Sequence, residues 1–332
     1  MLDIYFEENY GRLYEKVENG KCVVFEFEHS LGSVRHLFIK REIPIQLKGE
    51  SYYDLVTPYG YGGPVITECK NNKEELVQEF QLEFQKYCFD NNIVSEFVRF
   101  HPLLSNEQDF KDCYTVNFRR NTTGTTLKPY DDPVQTEFSK STKKAIRKAL
   151  NAGVEFNVIV NPKSLKEFQR IYYATMKRID ASSHYFFDDE YFSDCLNFFG
   201  KNLILVEATY DNQVIGMELH FLYNNILHTH LSGSIEDFHH LSPVYVLTYA
   251  IALWGKENGV KLIHSGGGVT SDPEDGLYLF KKRFGKNTEF DYFVGYKVWN
   301  KNLYEKLMEA AEVNRNTEFF PAYRENENPA FN

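Results

Sequence analysis

Residues 206–216 read VEATYDNQVIG, a pattern typical of a β-hairpin. The runs Leu203–Thr209 and Val214–Tyr223 are rich in β-branched and apolar residues, as strands are. Asp211-Asn212 lies between them, and both residue types tolerate the positive φ angles of a two-residue hairpin turn. A second turn of the same kind, Asn224-Asn225, follows the hairpin. The sequence therefore predicts an antiparallel meander of three strands.

Helices and further strands extend this meander in both directions. Apolar residues at helical spacing predict the helices, and short apolar runs bounded by Gly, Pro or Asn predict the strands. After a leading helix the second half reads β-α-α-β-β-β-α-β-α-β. Outside the first two meander strands, its predicted elements are helix Ser139–Asn151, strand Val154–Val160, helices Ser164–Ile179 and Asp188–Phe199, strand Ile226–Leu231, helix Pro243–Glu257, strand Lys261–His264, helix Gly276–Phe284 and strand Phe290–Trp299.

The first half contains a fragment of the same order. Its predicted elements are helix Glu7–Val17, the hairpin of Lys21–Glu28 and Val34–Arg41, strand Tyr52–Thr57, helix Lys73–Asp90 and strand Ile93–Phe100. A polar, turn-rich stretch, Asn121–Pro133, separates the halves. We therefore expect a mixed α/β fold with two related domains, residues 1–135 and 136–332.

Composition excludes several classes of protein. The formal net charge of -10 disfavours a broad electrostatic grip on DNA or RNA. The longest apolar run, near Tyr245–Trp254, is too short for an integral membrane span, and the N-terminus lacks the pattern of a signal peptide. The five cysteines are widely spaced and form no C-x-x-C pair, which argues against a disulfide framework. A cytoplasmic protein is expected.

The order of elements and several local motifs resemble the GNAT acyltransferases, and in particular the two-domain FemAB-like enzymes. The resemblance implies two tandem GNAT-like domains with mixed, mostly antiparallel sheets. It also implies transfer of an acyl or aminoacyl group onto an amine of a peptidoglycan or polysaccharide precursor. The motifs that carry it are the hairpin 206–216, LFKKRFG at 279–285, KKAIRKA at 143–149 followed by Gly153-Val154, FHPL at 100–103 and Gly63-Pro64-Val65.

The acyl donor stays open at this point, between acyl-CoA and aminoacyl-tRNA. CoA-dependent GNAT enzymes hold the CoA pyrophosphate on a glycine-rich loop at a helix N-terminus. The corresponding stretch here, Ser232–Pro243, lacks that glycine spacing and carries Glu236 and Asp237. Standard CoA binding by this loop is therefore doubtful.

Three residues are the candidates for catalysis. Lys281 matches a Phe-Lys pair that the resemblance places near the reacting groups, where a cation stabilises a tetrahedral oxyanion; Phe280 is the other member of that pair. Its alternative is a solvated helix charge. Glu218 lies on a central strand, and the resemblance to GNAT enzymes implies that a glutamate there deprotonates the amine; its alternative is an ordinary strand carboxylate. His230 is a second candidate base, because imidazole titrates near neutral pH.

The remaining candidates bind substrate. Arg178 matches a position that in the resembling family contacts acceptor phosphate, and its alternative is a cation that favours the C-terminus of its helix. Tyr185 is the nearest match to a downstream family tyrosine. His264, Ser265 and Gly266 stand where a predicted strand runs into a glycine-rich loop that ligands can approach closely. A basic stripe on one helix suits phosphates of a nucleotide-linked acceptor or of tRNA, although a solvated face is the more common explanation of such a stripe. Its members are Lys140, Lys143, Lys144, Arg147 and Lys148.

Clustered histidines can indicate a metal site, but the predicted strand register separates these histidines onto different faces of the sheet. Six of the ten histidines fall between His220 and His264. A two-residue turn at Asn224-Asn225 pairs Phe221 with His228 and Leu219 with His230, which puts His220 on the other face of the sheet. No metal is therefore expected. Two rival functions remain: a CoA-dependent N-acetyltransferase acting on an amino sugar or small amine, and a non-catalytic GNAT-fold binding protein.

Overall fold

A computed structural model of the protein describes residues 2–47, 49–314 and 316–326. Its strands in chain order are β1 (Gly20–His29), β2 (Gly32–Glu42), β3 (Tyr53–Val56), β4 (Val65–Cys69), β5 (Ile93–Arg99), β6 (Thr115–Thr126), β7 (Glu155–Val160), β8 (Leu203–Tyr210), β9 (Gln213–Tyr223), β10 (Ile226–Ser234), β11 (Leu262–Gly266) and β12 (Glu289–Val298).

The α-helices lie between these strands. They are α1 (Glu8–Arg12), α2 (Lys73–Asp90), α3 (Glu107–Phe110), α4 (Pro133–Glu137), α5 (Lys140–Asn151), α6 (Lys166–Arg178), α7 (Asp189–Phe199), α8 (Pro243–Glu257), α9 (Gly276–Lys282) and α10 (Lys301–Ala310). None of the described helices is both long enough and apolar enough to cross a membrane.

The chain divides into two compact units, Met1–Arg119 with Tyr292–Asn332, and Arg120–Asp291. The boundary falls inside β6 and inside β12. The predicted domain boundary between residues 135 and 136 stays a prediction. The compact units have different boundaries, because the chain from Tyr292 onward groups with the first unit.

The second unit contains the predicted meander. Its strands follow the order β6-β11-β10-β9-β8-β7. Asp211 and Asn212 have φ angles of 48° and 60°, and Asn224 and Asn225 have 47° and 64°, so both two-residue turns form as the sequence predicts. β8, β9 and β10 pair antiparallel, and α8 then leads to β11, which pairs parallel to β10.

Helices cover both faces of this sheet. α8 packs on the face that carries Ile204 and Val206, and these residues share one buried cluster with Leu247 of α8. On the other face α6 approaches β10 closely at Gly233, where an added Cβ would lie 2.9 Å from the Cα of Tyr172. A glycine is required there because the two backbones leave no room for a side chain.

The first unit has the same order of elements. β1, β2 and β3 form an antiparallel meander, α2 follows, and β5 pairs parallel to β3. β4 pairs with β2, and β12 pairs antiparallel with β5. Phe80 and Phe84 of α2 pack against this sheet, with their rings stacked 5.5 Å apart. The predicted mixed α/β fold class with mostly antiparallel strand pairs is thereby confirmed.

Some predicted elements need correction. The predicted helix Glu7–Val17 is only the short α1, preceded by a 3-10 turn at Ile4–Phe6. The strands β4 and β6 and the helix α10 were not predicted. The register at His230 also differs, because a bulge between Thr229 and Leu231 pairs Leu219 with Leu231 instead.

Candidate active site

The strands β10 and β11 separate in the second unit. Their parallel register covers three positions, from Ile226 opposite Leu262 to His228 opposite His264. Beyond His228, β10 continues beside β9 as far as Ser234, whereas β11 bulges after His264 and pairs Gly266 with Thr123 of β6. The two strands therefore part at their carboxyl ends.

Lys281 of α9 reaches the loop that follows β11. Its Nζ donates a hydrogen bond of 2.8 Å to the carbonyl oxygen of Gly267. Burial lowers the pKa of Lys281 to about 8, the charge of Glu218 opposes that shift, and Arg120 adds to it. The side chain is therefore a poorly hydrated cation that still carries its proton at neutral pH.

Glu218 lies on β9 opposite Ser232 of β10, beyond the point where β10 and β11 part. Only 5% of the residue is exposed. Its Oε2 is 3.2 Å from Nε2 of His220, which lies two residues further along the same face. Because its charge raises the pKa of Lys281, Glu218 and Lys281 are close enough to influence each other. The structure thus brings two of the predicted catalytic residues together.

The glycine-rich loop between β11 and α9 is held by charged side chains. Lys281 and Arg120 donate to the carbonyl oxygens of Gly267 and Gly268. The carboxylate of Asp275 accepts from the backbone N–H groups of Val269 and Thr270 and caps α9. Although burial acts in the opposite direction, these hydrogen bonds lower the pKa of Asp275 to about 2.

This loop is therefore shaped by its own contacts. An added Cβ at Gly268 would lie 2.2 Å from Oδ1 of Asp275, so only glycine fits against the carboxylate. Sequence reasoning missed Arg120, because it lies on β6, which carries no hydrophobic alternation. The loop's carbonyl oxygens face Lys281 and Arg120, while Asp275 occupies two of its N–H groups.

Comparison with known proteins now gives the family. Residues 136–282 match the family model described as an acetyltransferase (GNAT) domain. This segment is similar to GNAT acetyltransferase domains. The chain is accordingly an acyltransferase, as predicted, and it is FemAB-like in fold. No curated protein matches it in sequence.

Three solved structures share the fold across nearly the whole chain. FemX superposes with a TM-score of 0.68 at 11% identity, covering 92% of this chain and 94% of FemX. The C-terminal domain of a putative lysylphosphatidylglycerol synthetase from Agrobacterium fabrum has a TM-score of 0.56 at 12% identity, with 93% and 92% covered. L-PGS from Bacillus licheniformis has a TM-score of 0.52 at 12% identity, with 88% and 92% covered. At such identities the likeness concerns the fold.

His230 of the GNAT domain lies apart from Glu218. Its ring is 4.8 Å from that of Phe221, and both lie on the face of the sheet opposite to Glu218. Its Nε2 is 2.6 Å from the hydroxyl oxygen of Tyr191. Burial, reinforced by His220 and His228, lowers the pKa of His230 to about 3. A base this weak binds a proton poorly near neutral pH, which argues against His230 as the group that deprotonates the amine.

The predicted binding residues occupy three different places. Arg178 donates from Nη1 to the carbonyl oxygen of Ser234, 2.9 Å away, at the end of β10. The backbone carbonyl of Tyr185 accepts from the hydroxyl of Tyr172. The ring of Phe280 packs edge-on against Tyr245, 5.4 Å away, so this residue anchors α9 to the core.

His264, Ser265 and Gly266 form the end of β11. His264 is buried, with its Nε2 3.0 Å from the hydroxyl oxygen of Thr122. Gly266 has a φ of 73°, which turns the chain into the glycine-rich loop. Ligand binding by these residues stays a prediction. Among the described residues, no group of three or more His, Cys, Asp or Glu side chains could hold a metal ion.

Two surface features bear on the donor. In place of a glycine-rich phosphate loop, the chain before α8 forms a 3-10 stretch, Glu236–Leu241, in which Glu236 and Asp237 are exposed. Ile146 and Ala149 of α5 are buried, and four basic residues on its other side are exposed. Those four are Lys140, Lys144, Arg147 and Lys148.

Proposed function

We propose that this enzyme transfers an activated acyl or aminoacyl group directly onto an amine of a cell-envelope precursor. The observation that carries the proposal is the charge-coupled pair of Lys281 and Glu218 at the point where β10 and β11 part. The fold likeness to FemX and to lysylphosphatidylglycerol synthetase domains supports the substrate class, because the FemAB-like resemblance implies amine acceptors in envelope precursors.

In this proposal the reaction needs no covalent enzyme intermediate. The amine nitrogen attacks the donor carbonyl carbon while Glu218 takes one of its protons. Lys281 Nζ stabilises the oxyanion that develops on the carbonyl oxygen. The bond from carbon to the donor oxygen or sulfur then breaks, and the proton held by Glu218 leaves with the donor.

The local charges suit this division of roles. Lys281 has a pKa of about 8, so it remains an ammonium at neutral pH while being poorly solvated. A desolvated cation interacts more strongly with a developing negative charge than one in water does. Glu218 is buried beside it as an acceptor for the proton of the amine.

The surface before α8 favours an aminoacyl-tRNA donor over acyl-CoA. Glu236 and Asp237 are exposed where a CoA-dependent enzyme would offer backbone N–H groups to a pyrophosphate, and two carboxylates repel that group. The exposed basic face of α5 suits the phosphates of a nucleic acid despite the net negative charge of the chain.

A CoA-dependent N-acetyltransferase is the second candidate. It is favoured by one observation, the match of residues 136–282 to a family described as acetyltransferases. Its acceptor would be an amino sugar or a small amine.

Native mass spectrometry and a transfer assay separate the two donors. The purified protein is incubated with acetyl-CoA or with charged tRNA, and amide formation on amine acceptors is followed by mass. We expect transfer from aminoacyl-tRNA and none from acetyl-CoA. Rapid transfer from acetyl-CoA alone would instead establish the second candidate. The double variant E236Q/D237N then tests whether these two carboxylates repel CoA. We expect the weak affinity for CoA to rise in this variant.

A further inference from the structure

His220 is a fully buried histidine beside the candidate base. It lies on β9 with none of its surface exposed, and its side chain shares a face with Glu218. Its Nε2 is 3.2 Å from Oε2 of Glu218, within the range of an ion pair. The ring is nevertheless not aligned for a hydrogen bond, and neither ring nitrogen has a hydrogen-bond partner.

The surroundings of His220 offer no obvious structural reason for a polar ring. In the sheet it stands between Ile204 of β8 and Thr229 of β10. α8 covers this face with apolar side chains such as Val246 and Leu247. By contrast, His230 and His264 of the same unit contact the hydroxyls of Tyr191 and Thr122. A buried polar group without a partner is rare in folded proteins and calls for a functional reason.

The facing atoms themselves indicate that reason. When the proton of His220 is on Nδ1, both Nε2 and the carboxylate Oε2 are hydrogen-bond acceptors. Two acceptors 3.2 Å apart repel each other until a proton arrives between them. A proton taken by Glu218 would replace this repulsion by an attraction, and a small rotation of either side chain would then align Oε2 and Nε2 for a hydrogen bond.

We propose that His220 is a positioning residue that shares with Glu218 the proton taken from the acceptor amine. This inference rests on the proposed function, in which Glu218 is the base. The proton passes from the amine nitrogen to the Glu218–His220 pair and returns from the pair to the leaving group, so none is gained or lost. The pair binds one proton more tightly than Glu218 would alone, which makes the carboxylate a better base.

Other charges act on the same pair. Lys281 of α9 interacts electrostatically with Glu218, and Arg120 of β6 interacts with Lys281. His228 and His230 lie on the neighbouring strand β10, and His220 interacts electrostatically with His230. α8 contributes apolar side chains at this point. When ionisable groups interact this closely, the protonation steps observed belong to the group of residues as a whole.

The steady-state kinetics of the conservative variant H220Q test whether His220 shares a proton with Glu218. In H220Q an amide can hydrogen-bond Glu218 but cannot take up a proton. We expect kcat to fall about 10- to 100-fold, since general-base catalysis contributes about 10²–10⁴-fold. KM should stay within about twofold, and the acidic limb of the pH profile should move by about one unit. The control is H240Q, which alters an exposed histidine of the same unit. An unchanged kcat and pH profile in H220Q would overturn the proposal.

Side-chain NMR tests the pairing independently of turnover. The ring of His220 is titrated in ¹⁵N-histidine-labelled protein and in E218Q, where the amide can donate to Nε2 and hold the ring neutral. We expect the His220 midpoint to fall by at least one unit in E218Q. An unchanged midpoint would refute the pairing even in an active enzyme. If the His220 midpoint shifts in a protein that transfers no acyl group, the proposed function is wrong and the pairing of His220 with Glu218 is still supported. This measurement also stands if H220Q fails to fold.

Discussion

Replacing Lys281 with methionine separates catalysis from stability. The substitution keeps an unbranched chain of similar length and removes the cation that faces the developing oxyanion. Loss of one such donor costs about 10²–10³-fold in kcat, or roughly 3–4 kcal/mol. Because the ammonium is aligned for the transition state in this account, KM should change little.

The structure also predicts the effect on folding. K281M loses the hydrogen bond from Nζ to the carbonyl of Gly267, worth about 1–3 kcal/mol for a charged donor. The lowered pKa shows that burial of the ammonium is itself unfavourable, and methionine removes that cost. The two effects offset each other, so the free energy of unfolding should change by less than about 1 kcal/mol.

The assay is steady-state transfer with the donor that the mass-spectrometric experiment selects, alongside urea unfolding of each variant. K282M is the matched control: Lys282 is the adjacent residue on α9, and its Nζ contacts Glu289 at 2.9 Å. We expect K282M to retain nearly full kcat. A K281M enzyme with normal kcat, or a K282M enzyme as damaged as K281M, would refute the assignment of Lys281.

Three further perturbations have expected outcomes. As pH rises through about 8, Lys281 loses its proton and kcat should fall; K281R should move that alkaline limb upward, and a limb unchanged in K281R would assign it to another group. G233A should lower the free energy of unfolding by about 1–3 kcal/mol, since the new Cβ would lie 2.9 Å from the α6 backbone; G276A, with nothing within 4 Å, is the control, and equal urea midpoints would contradict the reasoning. D54N should cost about 3–5 kcal/mol, because two largely buried guanidiniums, Arg41 and Arg324, lose their shared carboxylate; calorimetry showing wild-type stability would count against it.

The helices that carry strong local signals were predicted well from the sequence. α2 spans the predicted residues Lys73–Asp90, and Asn72 caps it by accepting from the N–H groups of Glu74 and Glu75. α8 begins at Pro243 and ends at Glu257, as expected from a proline in the first turn and Asn258-Gly259 after it. Local chemistry fixes such boundaries, so they do not depend on distant contacts.

β6 was missed because its buried end is polar. Thr122, Thr123 and Thr125 are almost fully buried, and their hydroxyls are satisfied by contacts far away in the sequence. Thr123 donates to the carbonyl of Thr288, and Thr125 to that of Phe284. Hydrophobic periodicity cannot reveal a strand whose burial depends on hydrogen bonds made about 160 residues further along the chain.

The candidate site was predictable only in part. The resemblance to FemAB-like and other GNAT enzymes pointed to Lys281 and to Glu218, but neither residue has a distinctive spacing. Arg120 depends on the missed strand β6, and a bulge changed the register expected for His230. The sequence predicted that His220 lies on the face opposite Phe221. Only the structure shows that its Nε2 is 3.2 Å from Oε2 of Glu218, which is the basis of its proposed role.

A structure of the enzyme with a non-reactive donor analogue bound tests the central claim most directly. The account predicts the donor carbonyl between the separated ends of β10 and β11, with its oxygen within hydrogen-bond distance of Lys281 Nζ and its carbon open to an amine beside Glu218. A donor bound elsewhere, or one whose carbonyl lies beyond the reach of Lys281, would contradict it.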